Sequence, residues 1–196
     1  TYLNPDLDGF AAAVAYAEFL KQKQKVAQAG FLGRYNAEVL FAAQSLNFNP
    51  PSPLESVKAF DEIVLVDVSD LKRLEPDFPR ERVVEVIDHR EVFDTTAFPR
   101  AQWQIDREAT SATLVAERFR KEEMKPGPAT GPLLLAAIAC HTLNFQTASE
   151  RDKSVFQWLA TESSLPSDFI RGVFTAKSDL EGEKLGQTLK RRLQVV

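Results

Sequence analysis

Apolar and polar positions form alternating blocks along the chain, and the length of the blocks changes from one end to the other. Residues 10–20 are apolar on nearly every side, which predicts a buried helix from about residue 9 to residue 24. Residues 63–66 form a short, continuous apolar run rich in β-branched residues, as central parallel strands do, and residues 83–87 repeat this pattern apart from Glu85. The same patterns predict further strands at 26–31 and 101–105, helices at 36–45, 131–144, 149–162 and 166–174, a helix ending near 123, and a charged helical tail over 179–193.

The order of these elements indicates the fold class. Strands and helices alternate in the first part of the chain, and helices dominate in the second part. This order is typical of an α/β protein with a mainly parallel sheet flanked by helices, followed by a helical C-terminal part. A chain of 196 residues can form one sizeable core, or one domain and the beginning of a second.

Composition narrows the classes of partner and compartment. Residues are 44% hydrophobic and 27% charged, and the net charge of −4 argues against a broad basic surface for duplex nucleic acid. The single cysteine, Cys140, excludes an internal disulfide and is typical of a reducing compartment. The sequence contains no run of about 18 apolar residues, so we expect no membrane span, and a cytoplasmic location is the default expectation.

Acidic residues stand where the predicted strands end. Asp67 follows one apolar strand, and Asp88 and His89 follow the next. Asp6 and Asp8 lie in the loop that opens the first helix. In an open parallel sheet, ligands bind at the carboxyl ends of the strands. Carboxylates gathered there repel one another unless a cation is present, and oxygen ligands with one or two imidazoles suit Mn²⁺ or Mg²⁺.

Each of these residues also has a purely structural interpretation. Asp8 is placed to cap the first helix, since Asp is a preferred N-cap residue. Another aspartate can close a turn, and His89 can be a satisfied polar residue. His141 can be an ordinary residue of a helix surface or of the core. Both interpretations remain open for each residue taken alone.

Hydroxyl side chains begin a helix close to the predicted edge of the sheet. Thr110, Ser111 and Thr113 lie at its start. Their hydroxyls and the backbone N–H groups around them can contact a phosphate. They can equally serve only to cap the helix, and the sequence leaves both interpretations open.

Four motifs in chain order resemble those of the DHH phosphoesterase superfamily. They are Asn-Pro-Asp-Leu-Asp-Gly (4–9), Leu-Val-Asp (65–67), Val-Ile-Asp-His-Arg (86–90) and Ala-Thr-Ser-Ala-Thr (109–113). The segments 33–38, 142–145 and 176–180 resemble one branch specifically, which contains the manganese-dependent (family II) inorganic pyrophosphatases, exopolyphosphatases and prune-type proteins. The resemblance covers most of the chain.

This resemblance implies both a domain organisation and a ligand set. Residues 1–175 are expected to form the phosphoesterase domain, with its first strand missing, and 176–196 to be a linker or the start of an absent second domain. The implied site holds two ions, Mn²⁺ or Mg²⁺, which together activate a water and clamp phosphate oxygens. Carried over from the family, Asp6 would bind one ion and Asp8 the other. Asp67 would bridge both, and His89 would bind the second.

Three departures from the branch imply a degenerate metal site. Tyr2 stands where a histidine ligand is expected, and Arg90 is the third residue of the Asp-His-His motif, as in prune-type members. Arg cannot donate a proton near neutral pH, but it can hold a phosphate bidentately. His141 stands where the branch has a metal-binding aspartate, and imidazole can still bind a metal. We therefore include His141 among the candidate ligands and take Asp67 and Arg90 as the catalytic candidates.

Two functions of different classes follow from the resemblance. The first is a metal-dependent phosphohydrolase that acts on pyrophosphate, polyphosphate or a small phosphoester by two-metal activation of water. The second is a catalytically degenerate protein that binds a nucleotide, a phosphate ligand or a partner protein without turnover. Single-stranded nuclease activity also occurs in the superfamily, but the acidic composition disfavours it. We expect a small phosphate-containing ligand, neither duplex nucleic acid nor a membrane as partner, and leave a homodimer open.

Overall fold

The computed structural model describes residues 3–91, 94–107 and 109–178. Within these ranges the chain forms six α-helices and three β-strands. The helices are α1 (Leu7–Gln22), α2 (Ala37–Ser45), α3 (Ser111–Lys121), α4 (Thr130–His141), α5 (Glu150–Glu162) and α6 (Phe169–Ser178), and the strands are β1 (Ile63–Val66), β2 (Val83–Asp88) and β3 (Gln102–Ile105).

The three strands form one parallel sheet in the order β1-β2-β3. Val66 pairs with Ile87, and Asp88 pairs with Ile105, so all three strands end at the same edge of the sheet. The connections between parallel strands need a crossover, and here they run through loops and short 3₁₀ turns. The helices flank the sheet and dominate the second half of the chain, which confirms the predicted α/β class.

Two apolar cores lie on opposite sides of the sheet. The larger core joins α1, α3 and α4, and its largest fully buried side chains include Phe10 and Phe119. The alanines of α1 allow it to pack closely against both neighbouring helices. The smaller core contains Phe78 and Phe98 and covers the other face of β1 and β2. Each large side chain buried in this way stabilises the fold by about 1.5–3 kcal/mol.

The first helix begins two residues earlier than predicted. Asp6, not Asp8, is its N-cap: the Asp6 carboxylate accepts a hydrogen bond from the Gly9 N–H at 3.1 Å. Asp6 has the extended backbone that a cap requires, whereas Asp8 is already helical. The capping interpretation of Asp8 is therefore wrong, and its buried carboxylate needs another explanation.

The strand predicted at 26–31 is absent from the described structure. Val26 is fully exposed, and the nearby backbone pairing is a single parallel bridge between Leu3 and Leu32. The segment instead lines a cavity of about 380 Å³ beside β1. A strand needs a hydrogen-bonded neighbour, which a local sequence pattern cannot supply.

The later helices follow the prediction with shifted ends. α4 stops at His141, earlier than predicted, because Leu143, Asn144 and Phe145 all have left-handed backbone that a helix cannot continue through. α6 runs to Ser178, across the predicted boundary at 175/176, and the domain division stays a prediction. The charged tail predicted over 179–193 lies outside the described residues. Among the helices that the structure describes, none combines the length and apolarity needed to cross a bilayer.

Candidate metal centre

Residues from four elements meet at the carboxyl edge of the sheet. Asp67 directly follows β1, Asp88 is the last residue of β2, and His89 follows it. Asp8 lies in the first turn of α1, and His141 is the last residue of α4. The three aspartates are each at most 1% exposed, so their charges are almost fully removed from water. Burial on this scale requires hydrogen bonds or opposite charge close by.

Asp8 is held by the start of another helix. Its Oδ2 accepts a hydrogen bond from the Ser111 N–H at 3.0 Å, and its Oδ1 accepts one from the Ala112 N–H at 2.8 Å. These groups begin α3, so the carboxylate lies at the positive end of that helix. Burial nevertheless raises the pKa of Asp8 well above its usual value, and the charges of Asp67 and Asp6 raise it further. A nearby cation would stabilise the ionised form of Asp8.

The Asp67 carboxylate already contacts a positively charged side chain, that of Arg90. Its Oδ1 accepts hydrogen bonds from Arg90 Nη1 at 2.7 Å and from Ser111 Oγ at 2.9 Å. Its backbone has a left-handed φ of 61°, a conformation that Asp tolerates better than most residues. Burial alone would raise the pKa of Asp67, but the His89 imidazole and the Arg90 guanidinium outweigh burial and hold that pKa below its usual value.

Asp88 shares the same guanidinium. Its Oδ1 accepts from Arg90 Nη1 at 2.9 Å, from the His89 N–H at 2.8 Å and from the Arg90 N–H at 3.3 Å. Its Oδ2 is buried and makes no hydrogen bond to any described residue. Asp88 therefore fixes the turn that carries His89 and Arg90, and retains one oxygen with unused acceptor capacity.

The two imidazoles of the chain lie side by side. The rings of His89 and His141 are perpendicular, with centroids 4.8 Å apart. His89 Nε2 lies 3.9 Å from Asp8 Oδ2 and 3.3 Å from Asp67 Oδ1, and His141 Nδ1 lies 3.8 Å from Asp8 Oδ2. Burial, together with the neighbouring His89, lowers the pKa of His141, which favours the neutral imidazole that binds metals.

Two sets of donor atoms are compact enough to hold a cation. In the described residues, Asp8, His89 and His141 form one set, here the Asp8 group, and Asp67, Asp88 and His89 form the other, here the Asp67 group. The donor atoms of each group lie within 4.8 Å of one another. Ligand atoms at roughly 2.0–2.2 Å from one ion stand about 3 to 4.4 Å apart.

The Asp8 group fits a divalent ion. Its separations of 3.8 and 3.9 Å fall within the range for ligands of one ion. His89 Nε2 is buried, and its contacts with described residues, including Asp67 Oδ1 at 3.3 Å, lack the geometry of a hydrogen bond. A buried nitrogen in this state is stabilised when a ligand engages it, and a carboxylate with two imidazoles is a donor set for a divalent transition-metal ion.

The predicted site residues are largely, but not all, brought together. Asp8, Asp67, His89 and His141 meet as expected. Asp6 caps α1 and belongs to neither group, so its role as a ligand stays a prediction. The predicted phosphate contact of Arg90 also stays a prediction. Tyr2, where a histidine ligand is expected, lies outside the described residues.

Sequence reasoning missed two contributors. Asp88 was recognised as a strand-end carboxylate but not included among the ligands, although it belongs to the Asp67 group. Ser111 is fully buried, and its hydroxyl donates to Asp67. Its place at the start of a helix gave no sign of that partner, which is 44 residues away in sequence.

The remaining hydroxyls at the start of α3 serve the fold. Thr110 is the N-cap of α3 and accepts from the Thr113 N–H at 3.0 Å. Thr113 Oγ1 donates to Asp152, which also accepts from the Thr110 N–H. Asp152 completes a capping box with Ser149 at the start of α5. Of the two interpretations that the sequence left open, helix capping is the one that these contacts support.

The chain is similar in sequence to several proteins that carry the same name. No protein-family model matches the chain. It is 28% identical over 194 residues to a protein of Deinococcus radiodurans named a probable manganese-dependent inorganic pyrophosphatase, covering 97% of this chain and 62% of that protein. A Bacillus mycoides protein of the same name is 27% identical over 190 residues, covering 95% of this chain and 62% of the relative.

A solved structure resembles this fold. The crystal structure of a Methanococcus jannaschii protein assigned to the family II inorganic pyrophosphatases matches with a TM-score of 0.77 and 29% identity. The match covers 90% of this chain and 59% of that one. The chain thus spans about three fifths of the length of the relatives that it matches. In sequence and in fold, the chain is similar to the manganese-dependent (family II) inorganic pyrophosphatases.

Proposed function

We propose that this chain carries the metal-binding part of a Mn²⁺-dependent phosphohydrolase that acts on pyrophosphate or a related small phosphate compound. The observation that carries the proposal is the Asp8 group, in which one buried carboxylate and two imidazoles stand at the separations of ligands of one ion. The names of the relatives support the choice of metal and of substrate class.

The residues of the chain have distinct parts in this proposal. Asp8, His89 and His141 would hold the ion, and α3 would fix the Asp8 carboxylate through two backbone N–H groups. An ion there supplies Lewis-acid stabilisation of phosphate oxygens and lowers the pKa of water. The buried aspartates and the strand ends keep the ligands in place before substrate arrives, which reduces reorganisation during the reaction. We further propose residues 1–175 as the hydrolase domain.

The test measures metal binding and turnover separately. The protein is purified without chelator, and its thermal stability is measured with and without Mn²⁺. A rise in melting temperature with Mn²⁺ is expected, because an ion that binds only the folded state stabilises it. Phosphate release from pyrophosphate, tripolyphosphate and nucleotides then reports hydrolysis.

Paired variants make this test specific. Asp8→Asn is expected to abolish both the Mn²⁺ stabilisation and the phosphate release. Asp61→Asn, at an exposed aspartate just before β1, serves as the matched control and is expected to retain both. If the unaltered protein shows neither bound Mn²⁺ nor stabilisation, the proposal is wrong.

A second candidate function is binding without turnover. The contacts of Arg90 with Asp67 and Asp88 favour it, because they engage oxygens that a two-ion mechanism would use. This function predicts Mn²⁺ binding and retention of a phosphate compound, with no release of phosphate from any of the substrates named above.

A further inference from the structure

The guanidinium of Arg90 lies between the two strand-end carboxylates. Its Nη1 is 2.7 Å from Asp67 Oδ1 and 2.9 Å from Asp88 Oδ1. The same nitrogen is 2.7 Å from the backbone oxygen of Asp67, and Nη2 approaches Asp67 Oδ2 at 3.4 Å. One positive nitrogen thus contacts three oxygens at the end of two neighbouring strands, as a small cation would.

These contacts use the acceptor capacity of Asp67. A carboxylate oxygen has two lone pairs, and Oδ1 accepts from both Arg90 and Ser111. An ion bridged by that oxygen would stand next to Nη1 and be repelled by it in a buried, weakly screened environment. Repulsion by Arg90 therefore opposes the binding of an ion by the Asp67 group while Arg90 keeps this position.

The positive charge of Arg90 does not change with pH. Arg stays protonated in proteins, so no change of pH frees the two carboxylates. Both aspartates are fully buried, and a buried carboxylate that loses its cation is strongly destabilising. In the Asp8 group, in contrast, the Asp8 carboxylate accepts hydrogen bonds from two neutral backbone N–H groups and lies near imidazoles.

We propose that Arg90 is a built-in cation that replaces one ion of a two-ion site, so that the centre binds a single divalent ion, at the Asp8 group. This rests on the proposed metal centre and specifies its stoichiometry, where the resemblance seen in the sequence implied two ions. The centre then contains one exchangeable cation and one fixed cation, with Asp67 and His89 between them.

The experiment counts bound Mn²⁺. Equilibrium dialysis followed by elemental analysis gives ions per chain, and the electron paramagnetic resonance spectrum distinguishes an isolated Mn²⁺ from a spin-coupled pair. We expect one ion per chain and an isolated-ion spectrum. Arg90→Met keeps an unbranched side chain but removes its charge. In this variant we expect Asp67 and Asp88 to hold a second ion, which gives two ions per chain and a coupled spectrum. Arg107→Met, at an exposed arginine, is the matched control and is expected to bind one.

The outcomes separate this inference from the proposed function. Two ions bound to the unaltered protein, or one ion bound to folded Arg90→Met, overturns the role of Arg90 while leaving the metal centre intact. No bound ion in either protein overturns the metal centre itself. If Arg90→Met does not fold, Arg90→Lys retains the charge and is expected to bind one ion, and two ions there overturn the inference.

Discussion

Asp8 and Asp67 are both buried carboxylates within 4 Å of the same imidazole nitrogen, yet their pKa values move in opposite directions. Asp67 contacts the His89 imidazole and the Arg90 guanidinium, and these two groups lower its pKa in spite of burial. Asp8 receives two backbone N–H groups, and burial raises its pKa in spite of them. The partial charges at the start of one helix do not replace a full positive charge.

This difference divides the centre into two halves: the Asp67 half, which contains Asp67, Asp88 and Arg90, and the Asp8 half, which contains Asp8, His89 and His141. In the Asp67 half the carboxylates already have a positively charged partner, so its interactions stabilise the folded state. In the Asp8 half the carboxylate is held by neutral N–H groups, and its pKa stays raised, so a bound cation would lower the free energy of this half. Changes in the first half should therefore alter folding most, and changes in the second should alter metal affinity most.

Asp67→Asn should produce the largest effect. It removes one charge from a buried pair, so Arg90 loses the Asp67 carboxylate and keeps its contact with Asp88. Breaking a buried pair in this way costs about 3–5 kcal/mol of unfolding free energy. Urea denaturation in the presence of a chelator measures it without any contribution from metal.

Asp77→Asn is the control for that change. Asp77 pairs with Lys58 at an exposed site, where solvent screens the charges, so little change is expected. If Asp67→Asn proves as stable as Asp77→Asn, the Asp67 half does not serve folding and the division between the halves fails.

His141→Gln should have the next largest effect, and on affinity more than on folding. His141 ends α4 and its side chain is 30% exposed, so replacement removes little packing. Losing one of three protein ligands should weaken Mn²⁺ binding by roughly tenfold or more, which corresponds to about 1.4 kcal/mol. Isothermal titration calorimetry gives the affinity. Gln146→Ala, in the exposed loop that follows, should bind as the unaltered protein does, and equal affinity in both variants would exclude His141 as a ligand.

The sequence could predict the position of the centre because its main signals are local. Residues 63–66 and 83–87 are largely apolar runs rich in β-branched residues, and parallel strands end at a common edge, so Asp67 and His89 had to lie near each other. The buried start of α1 placed Asp8 on the same side. These inferences needed only chain order and the rule that ligands bind at the carboxyl ends of parallel strands.

The balance of charge could not be predicted in the same way. The hydrogen bonds of Asp8 come from residues 103 and 104 positions away, and no periodicity reports such contacts. Arg90 has several rotatable bonds, and only the folded structure shows its guanidinium directed back at Asp67 and Asp88. The choice of Asp6 as the cap likewise depends on a backbone angle that the sequence leaves open.

The pH dependence of the metal-free protein sharpens the comparison further. A raised carboxyl pKa in the folded state means that the folded protein binds protons more tightly than the unfolded chain. The contribution of Asp8 to the unfolding free energy is then fully present below its pKa in the unfolded chain, about 4. This contribution is lost as pH rises towards the raised pKa of Asp8 in the folded state. Asp67 contributes in the opposite sense: its stabilisation is present above about pH 4 and is lost as pH falls through its lowered pKa.

His141 also changes the unfolding free energy between pH 4 and 7, and a variant that lacks this imidazole isolates the contribution of Asp8. Burial lowers the pKa of His141, so its contribution to the unfolding free energy is present above about pH 6.5. This contribution is lost as pH falls towards the lowered pKa. It therefore opposes Asp8 between pH 4 and 7. In His141→Gln with chelator, the unfolding free energy should decrease more steeply from about pH 4 to 7 than in the unaltered protein. Denaturant titrations between pH 4 and 7 measure this free energy. An unfolding free energy of His141→Gln that rises with pH would contradict the raised pKa of Asp8.

Gly33→Ala should have the smallest effect on Mn²⁺ binding, and it acts on the Asp8 half from outside the centre. Gly33 has a left-handed φ of 78°, and an added Cβ would clash with Asn4 Oδ1, which accepts from the Arg34 N–H. This bond holds the loop that leads into α1. The strain and the lost bond should lower the unfolding free energy by about 1–2 kcal/mol.

The same variant tests how firmly Asp8 is fixed. Because Ser111 and Ala112 hold Asp8 directly, a shift in the loop before α1 should weaken Mn²⁺ binding by only a fewfold, less than in His141→Gln. Gly127→Ala is the matched control, since its Cβ would meet only the flexible end of Glu18, so it should lose less stability and keep full affinity. A loss of affinity in Gly33→Ala as large as in His141→Gln would mean that the loop, and not α3, positions Asp8, and the Asp8 half would then depend on the segment that carries Asp6.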